Sequence, residues 1–243
     1  MNKQQFKNKT VLITGAVQGI GFECAKKFQS YGSKVIVTCK SQASYDFFEK
    51  NSLKENIQLE KLDLTNEISI DILHQKIDKL DILINNATLL KGGIEYRIEN
   101  FSDVVNVNLM GLMRICHTFL PKLALSGGNI INIGSIFTKS TIKNAPSYTA
   151  TKSAVESLTK SMASCWAEHK VRVNCIAPGF IEGNTLNKIL EEEENIKHIK
   201  DRIPFKRFGL PEEVVEAIIF LASKNSSYIT GSTICVDGGY SIG

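Results

Sequence analysis

The 243-residue sequence lacks most of the features that mark a secreted, membrane-anchored or metal-held protein. Its six cysteines (Cys24, Cys39, Cys116, Cys165, Cys175, Cys235) stand far apart, with no Cys-x-x-Cys pair and no histidines beside them at ligand spacing. That argues against a disulfide framework and against a metal site, and it predicts buried thiols in a reducing compartment. The longest apolar runs, such as Ala217 to Ala222, are far too short to span a bilayer, and the polar start from Met1 to Lys9 has no signal-peptide core. A cytoplasmic protein is expected. The net charge of +4 is spread among isolated lysines and arginines, which excludes a nucleic-acid or membrane patch. There is no linker, low-complexity run or short-period repeat, so one domain over residues 1–243 is expected.

What is present is an alternation of short apolar runs and helical periodicities. Thr10-Val11-Leu12-Ile13 ends abruptly at Thr14-Gly15, and Ile20, Cys24, Phe28 and Tyr31 then recur at helical spacing until Gly32. The strand-like runs Val35 to Thr38, Ile57 to Glu60, Ile82 to Ile84, Ile130 to Ile133, Val171 to Ile176 and Thr233 to Val236 follow, six of the seven strands being followed by helices. Long helical stretches are expected over 101–125 and from Tyr148, and Pro211 suits the first turn of another. The pattern predicts an α/β fold: a Rossmann-type doubly wound sheet of about seven parallel strands with helices on both faces. Between Gly179 and Pro211 the rhythm breaks. The charged stretch there, with Glu191 to Glu194, Lys197 and Lys200, reads as a solvated helix held by pairs such as Glu193 with Lys197. Residues 180–210 are also placed where a substrate lid would lie, beyond the carboxyl ends of the strands.

Two patterns carry chemistry. Thr14-Gly15-Ala16-Val17-Gln18-Gly19-Ile20-Gly21 joins the first strand to the first helix, where glycines allow a tight turn and close approach of backbone to a pyrophosphate at a helix N-terminus. A dinucleotide is expected there. Tyr148 and Lys152 are four residues apart, on one face of a helix, where an ammonium beside a phenol favours phenolate and lowers the tyrosine pKa toward neutrality. That makes Tyr148 a candidate general acid–base for a carbonyl oxygen.

Together, Thr14-Gly-x-x-x-Gly-x-Gly21, Asn85-Asn86-Ala87, Asn108, Ser135, Tyr148-x-x-x-Lys152 and Pro178-Gly179 resemble the short-chain dehydrogenase/reductase family in order and spacing over essentially the whole chain. The resemblance implies hydride transfer between a nicotinamide and a carbonyl or secondary alcohol carbon. It implies that Ser135 binds the substrate oxygen, that Tyr148 is the acid, and that Lys152 holds the nicotinamide ribose while depressing the Tyr148 pKa. Asn108 would position a water for proton relay, with Asn106 competing for that role. The implied cofactor-binding set is Gly15, Gln18, Gly19, Ile20, Gly21, Lys40, Ser41, Asp63, Leu64, Asn86, Ala87, Tyr148, Lys152, Pro178, Gly179 and Ile181.

At the end of the second strand, Thr38-Cys39-Lys40-Ser41 offers no carboxylate for a ribose 2′-OH and instead offers Lys40 for a 2′-phosphate, so NADP(H) is favoured over NAD(H). Three features depart from the family pattern. Thr88 follows Asn-Asn-Ala in place of glycine, and Gly183 stands where relatives have threonine, with Thr185 as a substitute. The segment from Leu89 to Asn100 lacks the charge of a housekeeping 3-oxoacyl-carrier-protein reductase. The closest general likeness is still to that reductase group, and it implies an NADPH-dependent ketone reductase with 3-oxoacyl thioesters as the leading substrate class. An acyl carrier protein is then a candidate partner, and a homodimer or homotetramer the expected assembly. A sugar, polyol or secondary-metabolite dehydrogenase, and a non-catalytic dinucleotide sensor or scaffold, are the alternatives.

Overall fold

Successive side chains of a strand point to opposite faces, and the inner strands of this chain are mostly apolar and buried at successive positions, so their sheet must be covered on both sides. A computed structural model, which describes residues 3–51, 57–140, 142–183, 186 and 193–242, shows how. Strands β1 (Thr10–Ile13), β2 (Lys34–Cys39), β3 (Ile57–Lys61), β4 (Ile82–Asn85), β5 (Asn129–Ile133), β6 (Arg172–Pro178) and β7 (Thr233–Val236) form one parallel sheet in the order β3-β2-β1-β4-β5-β6-β7. The register places Val11 beside both Val35 and Ile82, and Ile84 beside Ile131.

Alternation along the strands assigns the two cores. Val11, Ile13, Val35, Val37, Ile131 and Ile176 meet Cys24 and Phe28 of α1 (Gly19–Ser30) and Val214 and Ile218 of a late helix (Pro211–Ala222). The intervening residues Leu12, Ile36, Leu83, Ile130 and Val173 face the other way. They pack on α3 (Glu67–Lys76), α5 (Leu112–Ser126) and α6 (Pro146–Trp166) through Leu73, Phe119, Val155 and Met162. Helix α2 (Gln42–Asn51) contributes Phe48 to the first core.

The stretch over 101–125 is interrupted, although its periodicity predicts one helix. Helix α4 (Ile98–Val105) passes into a π-helical segment, Asn106–Gly111, before α5 begins. One wider turn shifts which residues face inward, and such segments often sit at functional positions. Here Asn108 becomes buried while Asn106 is exposed.

Between β6 and the Pro211 helix, the described residues hold helix α7 (Glu193–Arg202) and one isolated parallel bridge between Ile181 and Gly209. The Pro211–Ala222 helix is α8. The Glu193–Lys197 pairing and Thr185 lie outside the described side chains. A third apolar cluster, Ile136, Phe180, Leu186, Ile203, Phe208 and Tyr240, packs beneath α7. All six cysteines are free thiols, but Cys165 is exposed and Cys235 half-buried, so the expectation of buried thiols holds for four of them. Among the described residues no helix is long and apolar enough to cross a membrane.

Candidate active site

The chain runs outward from β1 to β2 and β3 and then returns to place β4 on the other side of β1, so the strand order reverses there and opens a crevice at the carboxyl ends of β1 and β4. A cleft of about 540 Å³ lies there. Its floor is a lock between β1 and β4. Thr14 Oγ1 accepts from the Asn86 and Ala87 amides at 3.1 and 3.0 Å, and Asn86 Nδ2 donates to the Thr14 and Gly15 carbonyls at 3.0 and 2.9 Å. A Cβ on residue 15 would stand 2.8 Å from Ala87 Cα, so only glycine allows this approach.

Gly15, Gln18, Gly19 and Ile20 line the cleft at the start of α1, where no side chain caps the helix. Its first-turn N–H groups and dipole therefore suit a pyrophosphate, and the residues present fit a dinucleotide. Gly21 is different. It does not line the cleft; a Cβ there would meet Asn86 Nδ2 at 2.6 Å and Ala16 Cα at 2.8 Å, so it is a packing residue.

Lys40, Asp63 and Leu64 line one end of the same cleft. Lys40 Nζ is 2.8 Å from Asp63 Oδ2, while Asp63 Oδ1 accepts from the Thr65 amide and hydroxyl. Burial works against the Asp63 charge, but the hydrogen bonds from Lys40 and Thr65 outweigh it and leave the carboxyl below its ordinary pKa. Ser41 does not line the cleft. Its hydroxyl accepts from the Ser44 amide at 3.1 Å and bonds the Ser44 hydroxyl at 2.8 Å, an arrangement that starts α2.

Ser135, Tyr148, Lys152, Pro178, Gly179 and Ile181 line the other end. Ser135 caps the turn Ile136–Thr138 by accepting from the Phe137 amide at 3.3 Å, and its side chain is near enough to the Tyr148 phenol to pull that pKa down. Two hydroxyl-bearing side chains, one from the end of β5 and one from α6, therefore line the same end of the cleft. Lys152 is buried, donates to the Ile133 carbonyl at 2.7 Å, and lies 5.5 Å from the centre of the Tyr148 ring. Burial lowers the Lys152 pKa to about 8. The Tyr148 phenol, predicted to be depressed by that lysine, is instead pushed up to about 12, chiefly by burial, with the Ser135 hydrogen bond pulling the other way and the Glu95 charge adding to the rise. The spacing located the pair correctly. It carried no information on solvation, which is the larger effect here.

Asn108 clamps a loop. Its Oδ1 accepts from the Leu89 amide at 2.7 Å and the Thr88 hydroxyl at 3.3 Å, and its Nδ2 donates to the Leu89 carbonyl at 2.9 Å and Thr151 Oγ1 at 3.3 Å. Thr88, the departure from glycine, is thus bonded to Asn108 and lines the cleft. Gly183 also lines it, with φ +138, a backbone conformation that a threonine would adopt only under strain.

Comparison with known proteins places this geometry. Residues 15–241 match the family model described as Enoyl-(Acyl carrier protein) reductase. Over 234 residues the chain is 36% identical to the 3-oxoacyl-(acyl-carrier-protein) reductase FabG of Rickettsia bellii, covering 95% of this chain and 96% of that protein. The chain belongs to the short-chain dehydrogenase/reductase family. It is an oxidoreductase.

A protein named for a different activity is nearly as similar. The 2-dehydro-3-deoxy-D-gluconate 5-dehydrogenase of Dickeya dadantii is 32% identical over 260 residues, covering 99% of this chain and 98% of that protein. Among solved structures, a gluconate 5-dehydrogenase from Burkholderia cenocepacia in complex with NADP and tartrate superimposes with a TM-score of 0.87 at 27% identity, covering both chains fully.

Several residues of the site escaped the sequence. Thr38 accepts from the Gly15 amide at 3.3 Å, and Phe137, Phe180, Leu186 and Leu89 wall the end that holds Ser135 and Tyr148. Under α6 runs a buried chain from Asn85 Nδ2 to Asn132 Oδ1 (2.8 Å) and from Asn132 Nδ2 to Thr159 Oγ1 (2.9 Å). Asn132 between Ile131 and Ile133 was the available signal, because a buried amide needs partners.

Proposed function

We propose that this chain is an NADPH-dependent ketone reductase acting on 3-oxoacyl thioester-like substrates, working as one unit over residues 1–243. The observation that carries the reading is that Ser135 and Tyr148 line the same end of the cleft, near enough to influence one another, the arrangement needed to bind and protonate a single carbonyl oxygen. Bound at the glycine turn, the nicotinamide cofactor supplies hydride to the carbonyl carbon.

The residues then divide the work. Ser135 donates a hydrogen bond to the substrate oxygen, and Tyr148, a phenol with a pKa of about 12, delivers the proton to it. Lys152, at about 8, is charged at neutral pH yet close enough to neutrality to pass a proton onward. Asn108 sets the Leu89 side of the cleft and lies next to α6 through Thr151, where its role is to order the relay. Lys40 receives the 2′-phosphate of NADPH, which favours that cofactor over NADH; the NADP complex of the Burkholderia relative supports this choice.

Substrate class follows from the lining. Around Ser135 the described wall is Leu89, Phe137, Phe180 and Leu186, with Glu182 nearby. The cationic side chains among the described lining residues are Lys40, at the far end, and Lys152, committed to Ile133. A sugar acid would bring its carboxylate to a described wall with no free cation and one glutamate, whereas an acyl chain gains contact with aromatic surface. Phe180, Ile181, Glu182, Gly183 and Leu186, from the stretch read as a substrate lid, line the cleft. Assembly as a dimer or tetramer belongs to the same reading and is supported by the exposed apolar side chains of Ile68, Ile72, Ile98 and Met110.

The test is oxidation of NADPH and NADH by purified protein against acetoacetyl and longer 3-oxoacyl thioesters, sugar acids and polyols. Turnover of thioesters with NADPH is expected; activity confined to sugar acids or polyols would refute the substrate assignment.

A further inference from the structure

One buried charge near the reaction centre has no part in the mechanism above. Glu95 lies between β4 and α4 and is completely buried. Its Oε2 accepts from the Ser147 hydroxyl at 2.5 Å and from the Tyr148 amide at 2.9 Å, and its Oε1 accepts from the Lys91 amide at 2.8 Å. All three donors are neutral. The neighbouring ammonium of Lys91 turns away to Asn100 (2.8 Å) and Asp103 (2.6 Å).

Helix α6 supplies the reason for a carboxylate here. Its N-cap residue, Ala145, has no side chain able to cap, and the helix runs for 21 residues to Trp166. The first-turn N–H groups and the positive end of the dipole are therefore left for another part of the chain to satisfy. Glu95 does so from 53 residues away, on the amide of Tyr148 itself. The following residue reinforces the attachment, since the Tyr96 hydroxyl donates to the Lys143 carbonyl just ahead of the helix.

We propose that Glu95 is a positioning residue that anchors the first turn of α6 and, through its negative charge, keeps Tyr148 in the acid form that carbonyl reduction requires. The proposal rests on Tyr148 being the proton donor. Among the described residues the charged and titratable groups around Tyr148 are few: Lys152 on its own helix, Glu95 from the loop before α4, and, through Lys152, Cys175 of β6; Ser135 of the β5 end is neutral. Lys152 favours phenolate and Glu95 opposes it. The Glu95 charge is thus a counterweight to the lysine, and its position at the Tyr148 amide ties the height of the phenol in the cleft to the same contact.

Replacing Glu95 with Gln keeps an oxygen for the Tyr148 amide and removes the charge. The phenolate is then favoured, so its pKa falls. Ultraviolet difference titration over about pH 9–12.5, comparing E95Q with E95Q/Y148F and the unaltered chain with Y148F, should show phenolate onset at lower pH in E95Q, by roughly 0.5–1 unit. The higher alkaline inflection of the reduction profile, the one that belongs to the phenol and lies above the Lys152 inflection, should move the same way, while KM changes less than kcat. E95D, which restores the charge, should return the profile toward the original. Ser147→Ala withdraws a hydrogen bond that tempers the carboxylate and should move the onset slightly to higher pH, and it provides the reading if E95Q does not fold. Coincident titrations in folded E95Q and unaltered protein, or in S147A and unaltered protein, would overturn the proposal. If Y148F retained turnover, the proton-donor reading would fail instead, and the two failures are therefore distinguishable.

Discussion

The ammonium of Lys152 stands 5.5 Å from the centre of the Tyr148 ring, yet its hydrogen bond goes to the Ile133 carbonyl at 2.7 Å and not to the phenol. The two groups share a helix face and an electrostatic neighbourhood without touching. Burial moves them in opposite directions, the phenol up to about 12 and the ammonium down to about 8, because in each case it disfavours the charged form. The resting site therefore holds a protonated phenol beside a lysine that titrates near neutrality.

Tyr148→Phe removes the proton donor and little volume. Turnover of a ketone should fall by at least about 10²–10⁴-fold, with cofactor affinity changed only a few-fold in a fluorescence titration. Retained turnover would show that another group carries the proton.

The lysine predicts a pH dependence. Lys152 is charged below about 8 and loses its proton above it, so kcat for ketone reduction should decline as pH rises through that value. A rate profile that is level well beyond this point would contradict the relay assigned to Lys152.

Lys40→Ala should weaken NADPH binding and leave NADH nearly unaffected. The lysine is 64% exposed in its pair with Asp63, so solvent screening limits the loss to about 1 kcal/mol, or roughly five- to tenfold in Kd. Equal losses for both cofactors would mean that Lys40 does not read the 2′-phosphate.

Phe137→Ala tests the apolar wall. Losing aromatic contact worth about 1–2 kcal/mol should raise KM for a long 3-oxoacyl thioester by roughly 5–30-fold and leave a short one nearly unchanged. Equal effects on long and short chains would place the acyl group elsewhere.

A stability prediction concerns the opposite end of the sheet. Asp81 is buried and accepts from Lys9 at 2.7 Å and from the Thr10 amide at 3.0 Å, with Lys79 at 3.2 Å. Burial raises its pKa, but these partners outweigh it and the folded value is depressed. A depressed folded value contributes stability that is complete above the unfolded carboxylate pKa, ~3.9, and is lost as pH falls through the folded one. Asp81→Asn should cost about 1–3 kcal/mol at neutral pH and flatten acid denaturation, without altering catalysis. Chemical denaturation at two pH values checks both.

The strand runs and glycine turns of this chain announced the parallel sheet, because apolar periods of two and of 3.6 residues admit few other layered solutions. Motif spacing likewise carried Tyr148, Lys152, Ser135 and the glycine turn, since residues within one helix or one turn keep their geometry wherever the element is placed. Other matters needed the tertiary structure. Ser41 starts a helix, Gly21 packs a turn, and Asn108 is buried while Asn106 is exposed in a π-helical segment that the periodicity did not announce. The direction of the Tyr148 pKa depends on solvation and on a carboxylate 53 residues away in sequence. Local pattern determines where the reactive groups lie along an element; burial and long-range contacts decide which proton each one keeps.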